Sequence, residues 1–329
     1  MRLTSEQLMA VAATANLAPS VHNTQPTRWR LDDGALWLLA DRTRHLPVGD
    51  PTGRDLLVSV GAALEATDIA LAAHGLAIGH LDTPRGANQP LDPIVRLELT
   101  PTAATALPDT IHRRATWRRG FAPALTTQVQ ALHGLATARP DITCIAEPAE
   151  LAVISDLNEE ASLRVYRNRA YRTELVSWMR LARSDPRYGL DGLSAPALGL
   201  SAFEAFGARV ALRDPWFGLL DGIGLAPALV SEATMTRASA AILLFHRPAE
   251  ETPLETGRHL YRRLLELTAQ NLYTWPMAVL ADDAETSAEL AQRYRIPSDR
   301  RLITAWRTGP LPADADPQRE RLPAISLVV

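Results

Sequence analysis

The 329-residue chain contains no lysine; all 34 of its basic residues are arginine. Schiff-base chemistry and a Walker-type phosphate loop both need the lysine amine and are therefore excluded. A single cysteine, Cys144, rules out an intramolecular disulfide framework and leaves no thiolate set for a metal. The eight histidines are scattered without ligand spacing. The sequence has no GxGxxG, no GxSxG and no HExxH, so a Rossmann dehydrogenase, an α/β-hydrolase and a zinc hydrolase each lack their basic parts. The net charge of −3 supplies no field to recruit nucleic acid or an anionic membrane. No run of about eighteen apolar residues is free of charge or histidine; residues 56–76 come nearest and carry Glu65, Asp68 and His74, the pattern of a buried helix. The apolar stretch 8–15 follows Glu6 and Gln7 where a signal segment would have basic residues, so a cytoplasmic protein is expected.

What the chain does have is a 47% share of hydrophobic residues, ample for a large core. Apolar spacing predicts helices over 4–17, 53–74, 126–136, 149–183, 202–212, 254–272 and 284–294. Thr4 and Gln7 form a capping box for the first. Strands are predicted over 27–31, 36–40, 77–82, 94–99, 142–146, 238–245, 276–280 and 302–308, with Asp32-Asp33-Gly34 as a hairpin turn. The fold class is α+β. Residues 27–100 read as two strands, a long helix opening Thr52-Gly53-Arg54, and two strands; residues 238–310 read as a strand, a helix opening Thr256-Gly257-Arg258, and two strands. The order suggests a duplicated unit, 1–109 and 110–329, divided near the proline and acids of 103–109. Seven of the eighteen glycines fall between Gly189 and Gly224, so an insertion at about 184–235 is expected as a packed helical cap or a lid.

Three segments carry chemistry. Pro19-Ser20-Val21-His22-Asn23-Thr24-Gln25-Pro26 packs donors and acceptors between two prolines after a helix; by composition it is equally a capping turn. Arg113-Arg114-Ala115-Thr116-Trp117-Arg118-Arg119 offers an anion site, with Arg114 and Arg118 on one face if helical, or else a solvated basic patch. Arg319 and Arg321 would converge from one side of a strand, or lie in a solvated tail.

Together these segments resemble the nitroreductase-like FMN proteins. That family carries a Pro-Ser-x-x-Asn-x-Gln-Pro loop, an Arg-x-Ser/Thr-x-Lys/Arg segment and a late Lys/Arg-x-Arg, matched by Pro19 to Pro26, Arg114 to Arg118 and Arg319 to Arg321. Ordinary members begin with the arginine segment and dimerise around two flavins. Here the loop comes first and the arginines open the second half, as in the double-length Acg-like subgroup, in which two repeats form a pseudo-dimer. The resemblance implies that Arg114, Thr116, Arg319 and Arg321 hold the FMN phosphate and that Arg118 lies near flavin N1 and O2. It implies that Pro19, Ser20 and Asn23 contact the flavin, with His22 and Gln25 as adjacent candidates. It also implies that the Pro276-Met277-Ala278-Val279 strand end approaches N5 by a backbone N–H. Family members often have Glu-Gly where this chain has Ala278-Val279. Only one set of motifs is intact, so one flavin per chain is expected. The implied activity is a ping-pong oxidoreductase passing hydride from NADPH or NADH to a small organic acceptor. The alternatives are FMN sequestration without turnover and a specialised flavin-dependent biosynthetic dehydrogenase. The internal repeat makes a monomer self-sufficient and leaves a homodimer open.

Overall fold

The computed structural model of the chain describes residues 3–84 and 89–329. Helix α1 (Ser5–Ala15) opens with the capping box: Thr4 Oγ1 accepts from the Gln7 N–H and Gln7 Oε1 from the Thr4 N–H. Strands β1 (Thr27–Asp32) and β2 (Ala35–Asp41) form a hairpin whose turn residues Asp33 and Gly34 both have positive φ, 48° and 76°. That geometry matches the right-handed twist of the flanking strands and is what Asp-Gly favours. Helix α2 (Arg54–Ala73) follows, then β3 (Leu76–Asp82) and β4 (Leu91–Pro101). Among the described helices α2 alone is long and apolar enough to cross a membrane; it is apolar on nearly every face because it is the central buried helix of the protein.

The second half starts with α3 (Thr110–Arg113), α4 (Thr126–Ala138) and β5 (Ile142–Ile145). The predicted helix 149–183 is two helices, α5 (Pro148–Arg167) and α6 (Arg169–Ser177). Asn168 breaks it: its side-chain oxygen accepts from the Ala170 and Tyr171 N–H groups and so caps α6. A short parallel pair, β6 (Met179–Arg180) and β7 (Leu193–Ser194), leads into a cap of small helices: α7 (Ala195–Leu198), α8 (Ala202–Ala211), α9 (Trp216–Gly222), α10 (Ala226–Val230) and α11 (Ala233–Arg237). The cap packs through Leu212, Phe217 and Ala226 against Leu163 and Tyr166 of α5. Then come β8 (Ala241–Pro248), α12 (Pro253–Ala269), β9 (Tyr273–Pro276), α13 (Val279–Asp282), α14 (Ala284–Arg293) and β10 (Arg300–Gly309). The predicted strand 276–280 is thus corrected. β9 ends at Pro276, and the chain turns into α13.

Among the described residues the strands form two four-stranded antiparallel sheets, ordered β1-β2-β4-β3 and β5-β8-β10-β9. In each, the first strand pairs the second, the fourth lies between second and third, and the long helix connects second to third. The two long helices cross at glycine. A Cβ on Gly61 would lie 2.0 Å from the Leu254 carbonyl oxygen, and one on Gly257 would lie 2.0 Å from that of Val58. Each glycine therefore faces the carbonyl three residues before the other, a two-fold-like contact. Gly53 precedes α2 whereas Gly257 lies within α12, so the two Thr-Gly-Arg triplets are not equivalent positions. Flanking the crossing, Glu65 on α2 pairs with Arg258 (2.9 Å) and Arg262 (2.6 Å) of α12.

The chain end departs from the 1–109 and 110–329 division. The Trp29 N–H donates to the Leu327 carbonyl (2.9 Å) and the Val329 N–H to that of Trp29 (3.0 Å). Leu322 and Leu327 are buried in the first half's core. The tail of the second half thus completes the first.

Candidate functional site

The Pro19–Pro26 loop leaves α1 as a tight turn in which His22, Asn23 and Gln25 have φ of 46°, 54° and 50°. Left-handed backbone costs a side-chain-bearing residue roughly 1–2 kcal/mol, so the surroundings must impose it. They do. Ser20 Oγ accepts from the Gln25 N–H (2.8 Å), and Ser59 Oγ of α2 from the Val21 N–H (3.3 Å). Gln25 is the knot: Oε1 accepts from Asn16 Nδ2 and the Leu322 N–H (both 2.8 Å), and Nε2 donates to the Leu190 carbonyl (2.9 Å). Gln25 is therefore corrected from a ligand candidate to an inward-facing tie among three segments, because each of its polar atoms is engaged inside the protein.

The Arg114–Arg118 segment is extended, not helical. α3 ends at Arg113, the Trp117 N–H donates to the Thr274 carbonyl (3.0 Å), and Thr116 bridges Thr274 beside β9. The two-residue period then puts Arg114, Thr116 and Arg118 on one side while Ala115 and Trp117 are buried on the other. Arg319 and Arg321 arrive on irregular chain rather than a strand. Arg319 donates to the carbonyls of Ile111 (3.0 Å) and Arg114 (3.3 Å). Arg321 donates to Asn23 Oδ1 (2.9 Å) and shares the Leu17 carbonyl (3.1 Å) with Arg114 (3.2 Å).

These residues, with Pro19, Ser20 and Asn23, line one narrow cleft of about 60 Å³. Among the described residues none of Arg114, Arg118, Arg319 and Arg321 has a carboxylate within ion-pair distance, although arginine–carboxylate pairs are frequent elsewhere among them. Arg114 is 3% exposed, and the Nε atoms of Arg114 and Arg321 are buried without a hydrogen-bond partner. Burial, with repulsion from neighbouring arginines, brings Arg321 down to about 9 and Arg114 to about 10. Burial brings Arg118 to about 10 as well. Glu320 also lines the cleft; burial raises its pKa, one of its carboxyl oxygens is buried without a hydrogen-bond partner, and its charge acts on Arg321 against the effect of the neighbouring arginines. Buried cations without paired carboxylates are costly, and a donor set of this kind suits an anion.

The cleft shares Pro19, Ser20, Thr116, Arg118 and Leu193 with a larger cavity of about 310 Å³ at the seam of the two halves. His22, Asp55 and Val58 come from the first half; Tyr166, Tyr171, Leu260, Pro276, Ala278, Asp282 and Trp306 come from the second. Met277 and Val279 do not line it. The Met277 side chain is in the core and its N–H donates to the Ala305 carbonyl (2.8 Å), so only Ala278 of that trio reaches the cavity. Burial and the Arg118 charge push His22 down to about 4, so the ring is neutral. Burial and the neighbouring Asp55 raise Asp282 to about 7.

Asp55, Tyr166, Tyr171, Glu232 and Asp282 belong to no motif and were not singled out in the sequence. Only the position of Asp282, one helical turn beyond Ala278, could have drawn attention to it. Glu232, from the cap, forms the ion pair of Arg307, which is 0% exposed, stacks 4.2 Å above Trp275 and leaves Nε and Nη1 without partners. Replacing Glu232 with alanine strands that guanidinium and is expected to cost about 3 kcal/mol. Chemical denaturation should show the loss, and adding Arg307→Met should recover most of it.

No family model matches the chain. A curated Mycobacterium tuberculosis protein named "Putative NAD(P)H nitroreductase acg" is 31% identical over 186 residues, covering 54% of this chain and 55% of that one. A second from the same organism, "Putative NAD(P)H nitroreductase Rv3131", is 34% identical over 123 residues, 36% of this chain and 35% of that one. The chain thus spans about half the length of the first of these relatives, and about a third of the second. Among solved structures, one titled a putative nitroreductase from Anabaena variabilis aligns with 93% of this chain and 88% of its own, at 10% identity and TM-score 0.47. A Bacteroides fragilis nitroreductase with bound FMN aligns with 65% and 92%, at 12% identity and TM-score 0.35. The sequence similarity of the chain thus runs to proteins named as putative NAD(P)H nitroreductases.

Proposed function

We propose that the protein is an FMN-dependent oxidoreductase of nitroreductase type that uses NAD(P)H and a small organic acceptor. The observation that carries this reading is the cleft of arginines without carboxylate partners, continuous with an aromatic-walled cavity at the seam. Guanidinium forks and the Thr116 hydroxyl suit a phosphate, and the cavity beyond suits a flat ring system. In this reading Arg114, Thr116, Arg319 and Arg321 hold the phosphate, while Arg118 places positive charge at the ring edge, where it would stabilise a reduced, anionic ring. Pro19, Ser20 and Asn23 fix one face and the ribityl chain, held in place by the Gln25 knot. The chain at Ala278 presents backbone to the ring. Bound FMN would supply hydride transfer between a nicotinamide and an acceptor such as a nitroaromatic, quinone or enone. The matched topology of the two sheets and the glycine crossing support reading the chain as a duplicated unit that forms its own pseudo-dimer, with one flavin.

A second reading, sequestration of FMN without turnover, is favoured by Leu193 and Glu232, through which the 184–235 insertion reaches the cavity wall. Anaerobic addition of NADPH or NADH to the flavin-loaded protein separates the two. Bleaching of the visible band at about one flavin per chain is the expected result. A band that persists supports sequestration, and a protein that takes up no flavin overturns both.

A further inference from the structure

We propose that the outer face of the cap is a docking surface for a second copy of this chain, so that the protein pairs cap to cap as a homodimer. The proposal does not depend on the flavin reading.

Of the twelve large hydrophobic side chains exposed among the described residues, eight lie within 203–235. They keep helical spacing. Phe203 and Phe206 of α8 are three apart, Trp216, Leu219 and Ile223 follow at three and four along α9, and Leu225 and Leu229 are four apart on α10. Each set therefore falls on one side of its helix. The other sides are the buried ones: Leu212, Phe217 and Ala226 pack toward Leu163 and Tyr166 of α5. α8 touches α9 and α9 touches α10, so the three form one layer over α5. A layer whose inner faces all turn to α5 turns its outer faces the same way. The cap helices are thus apolar on two sides, and the fold of one chain uses only one of them.

The size of the outer face suits a dimer. Phe203 is 85% exposed and Ile223 70%. The outer side chains together present on the order of 700 Å² of apolar surface, above the few hundred Å² of an ordinary monomer's patch and close to the roughly 800 Å² that each partner of a stable interface covers. Phenylalanine, tryptophan and leucine with few charges among them are also the composition of an interface core.

The charges around the face select the partner. Asp214 is paired with Arg169 and Arg172, and Asp221 with Arg167. On α8 and just after it that leaves Glu204, Arg209 and Arg213, with Arg209 lying over the Phe206 ring. Two arginines and a carboxylate fall short of the cluster of about four to eight basic residues that holds a helix to an anionic bilayer. Both signs on one helix suit a self-complementary contact instead, in which Glu204 of each copy faces Arg209 of the other across a two-fold axis.

The test is sedimentation equilibrium of the full chain from about 1 to about 100 μM, where a dimer of micromolar affinity separates from a monomer. A concentration-dependent dimer is expected. The Phe203→Glu/Trp216→Glu/Ile223→Glu variant should weaken it at least about 100-fold, because it removes two aromatic anchors and places like charges opposite one another. The three side chains are exposed and lie outside the cavity, so the thermal unfolding of the monomer should not change. Should the charged variant fold poorly, Phe203→Gln/Ile223→Gln should still weaken the dimer about tenfold or more. In the unsubstituted chain, amide protection over 202–230 should rise with protein concentration. A chain that stays monomeric to about 100 μM would overturn the proposal, as would a dimer that the variants leave intact. Co-sedimentation of a monomer with phosphatidylglycerol vesicles, lost in the variants, would also overturn it and give the face to a membrane.

Discussion

Replacing Arg114 with methionine should weaken FMN binding about 100-fold while leaving the flavin-free protein as stable as before, or more so. The two signs follow from one arrangement. Arg114 is nearly fully buried, has no carboxylate partner and makes one hydrogen bond, to the Leu17 carbonyl at 3.2 Å. Its charge opposes those of Arg319 and Arg118. Without an anion, methionine removes a desolvated charge and keeps the packing volume. With FMN bound, the same change removes charge-assisted hydrogen bonds to phosphate, each contributing about 1.5–3 kcal/mol. Flavin titration and thermal unfolding of the apoprotein read the two effects separately. A variant that lost stability without FMN and kept its affinity would make Arg114 a structural residue.

The second large effect is expected at the helix crossing. Gly61→Ala and Gly257→Ala each drive a methyl group to 2.0 Å from a backbone carbonyl oxygen of the opposite helix. Neither neighbour is a flexible side-chain end, so the helices must separate. A loss of about 3 kcal/mol or more is expected, at the upper end for overpacking. The cavity borders Val58 and Ala62 of α2 and Leu260 and Leu264 of α12, so FMN affinity should fall with stability. Gly134→Ala is the control: it lies in α4 with open space around it and should gain about 0.5–1 kcal/mol from helix propensity. Denaturant midpoints of the three variants give the comparison.

How much of this was legible in the sequence depended on the range of the interaction that decides each feature. Local signals were clear: the capping box at Thr4, the Asp-Gly hairpin, and the periodicity of α2 and α12. The Pro19–Pro26 loop announced itself by composition, but sequence could not separate Asn23, which meets Arg321, from Gln25, which turns inward to Asn16 and Leu322. Both are amides in a tight loop, and only distant partners tell them apart. The same holds for Arg114 and Arg118. Four residues apart suits a helix and two-residue alternation suits a strand; the partner Thr274, far along the chain, decides for the strand-like form. The predicted strand 276–280 begins where β9 ends, so the turn into α13 was missed, and with it Asp282. Least legible of all was the tail. Residues 322–329 look like the end of the second half, and their burial beside Trp29 depends on contacts some three hundred positions away.

The measurement that tests the central claim most directly is the affinity of the flavin-free protein for FMN against riboflavin, which differ only in the phosphate. If the arginine cleft is the phosphate site, FMN should bind about 1,000-fold tighter, the worth of several charge-assisted hydrogen bonds in a buried setting. Affinities within about threefold of each other would contradict the account, because the four arginines would then be holding nothing that riboflavin lacks.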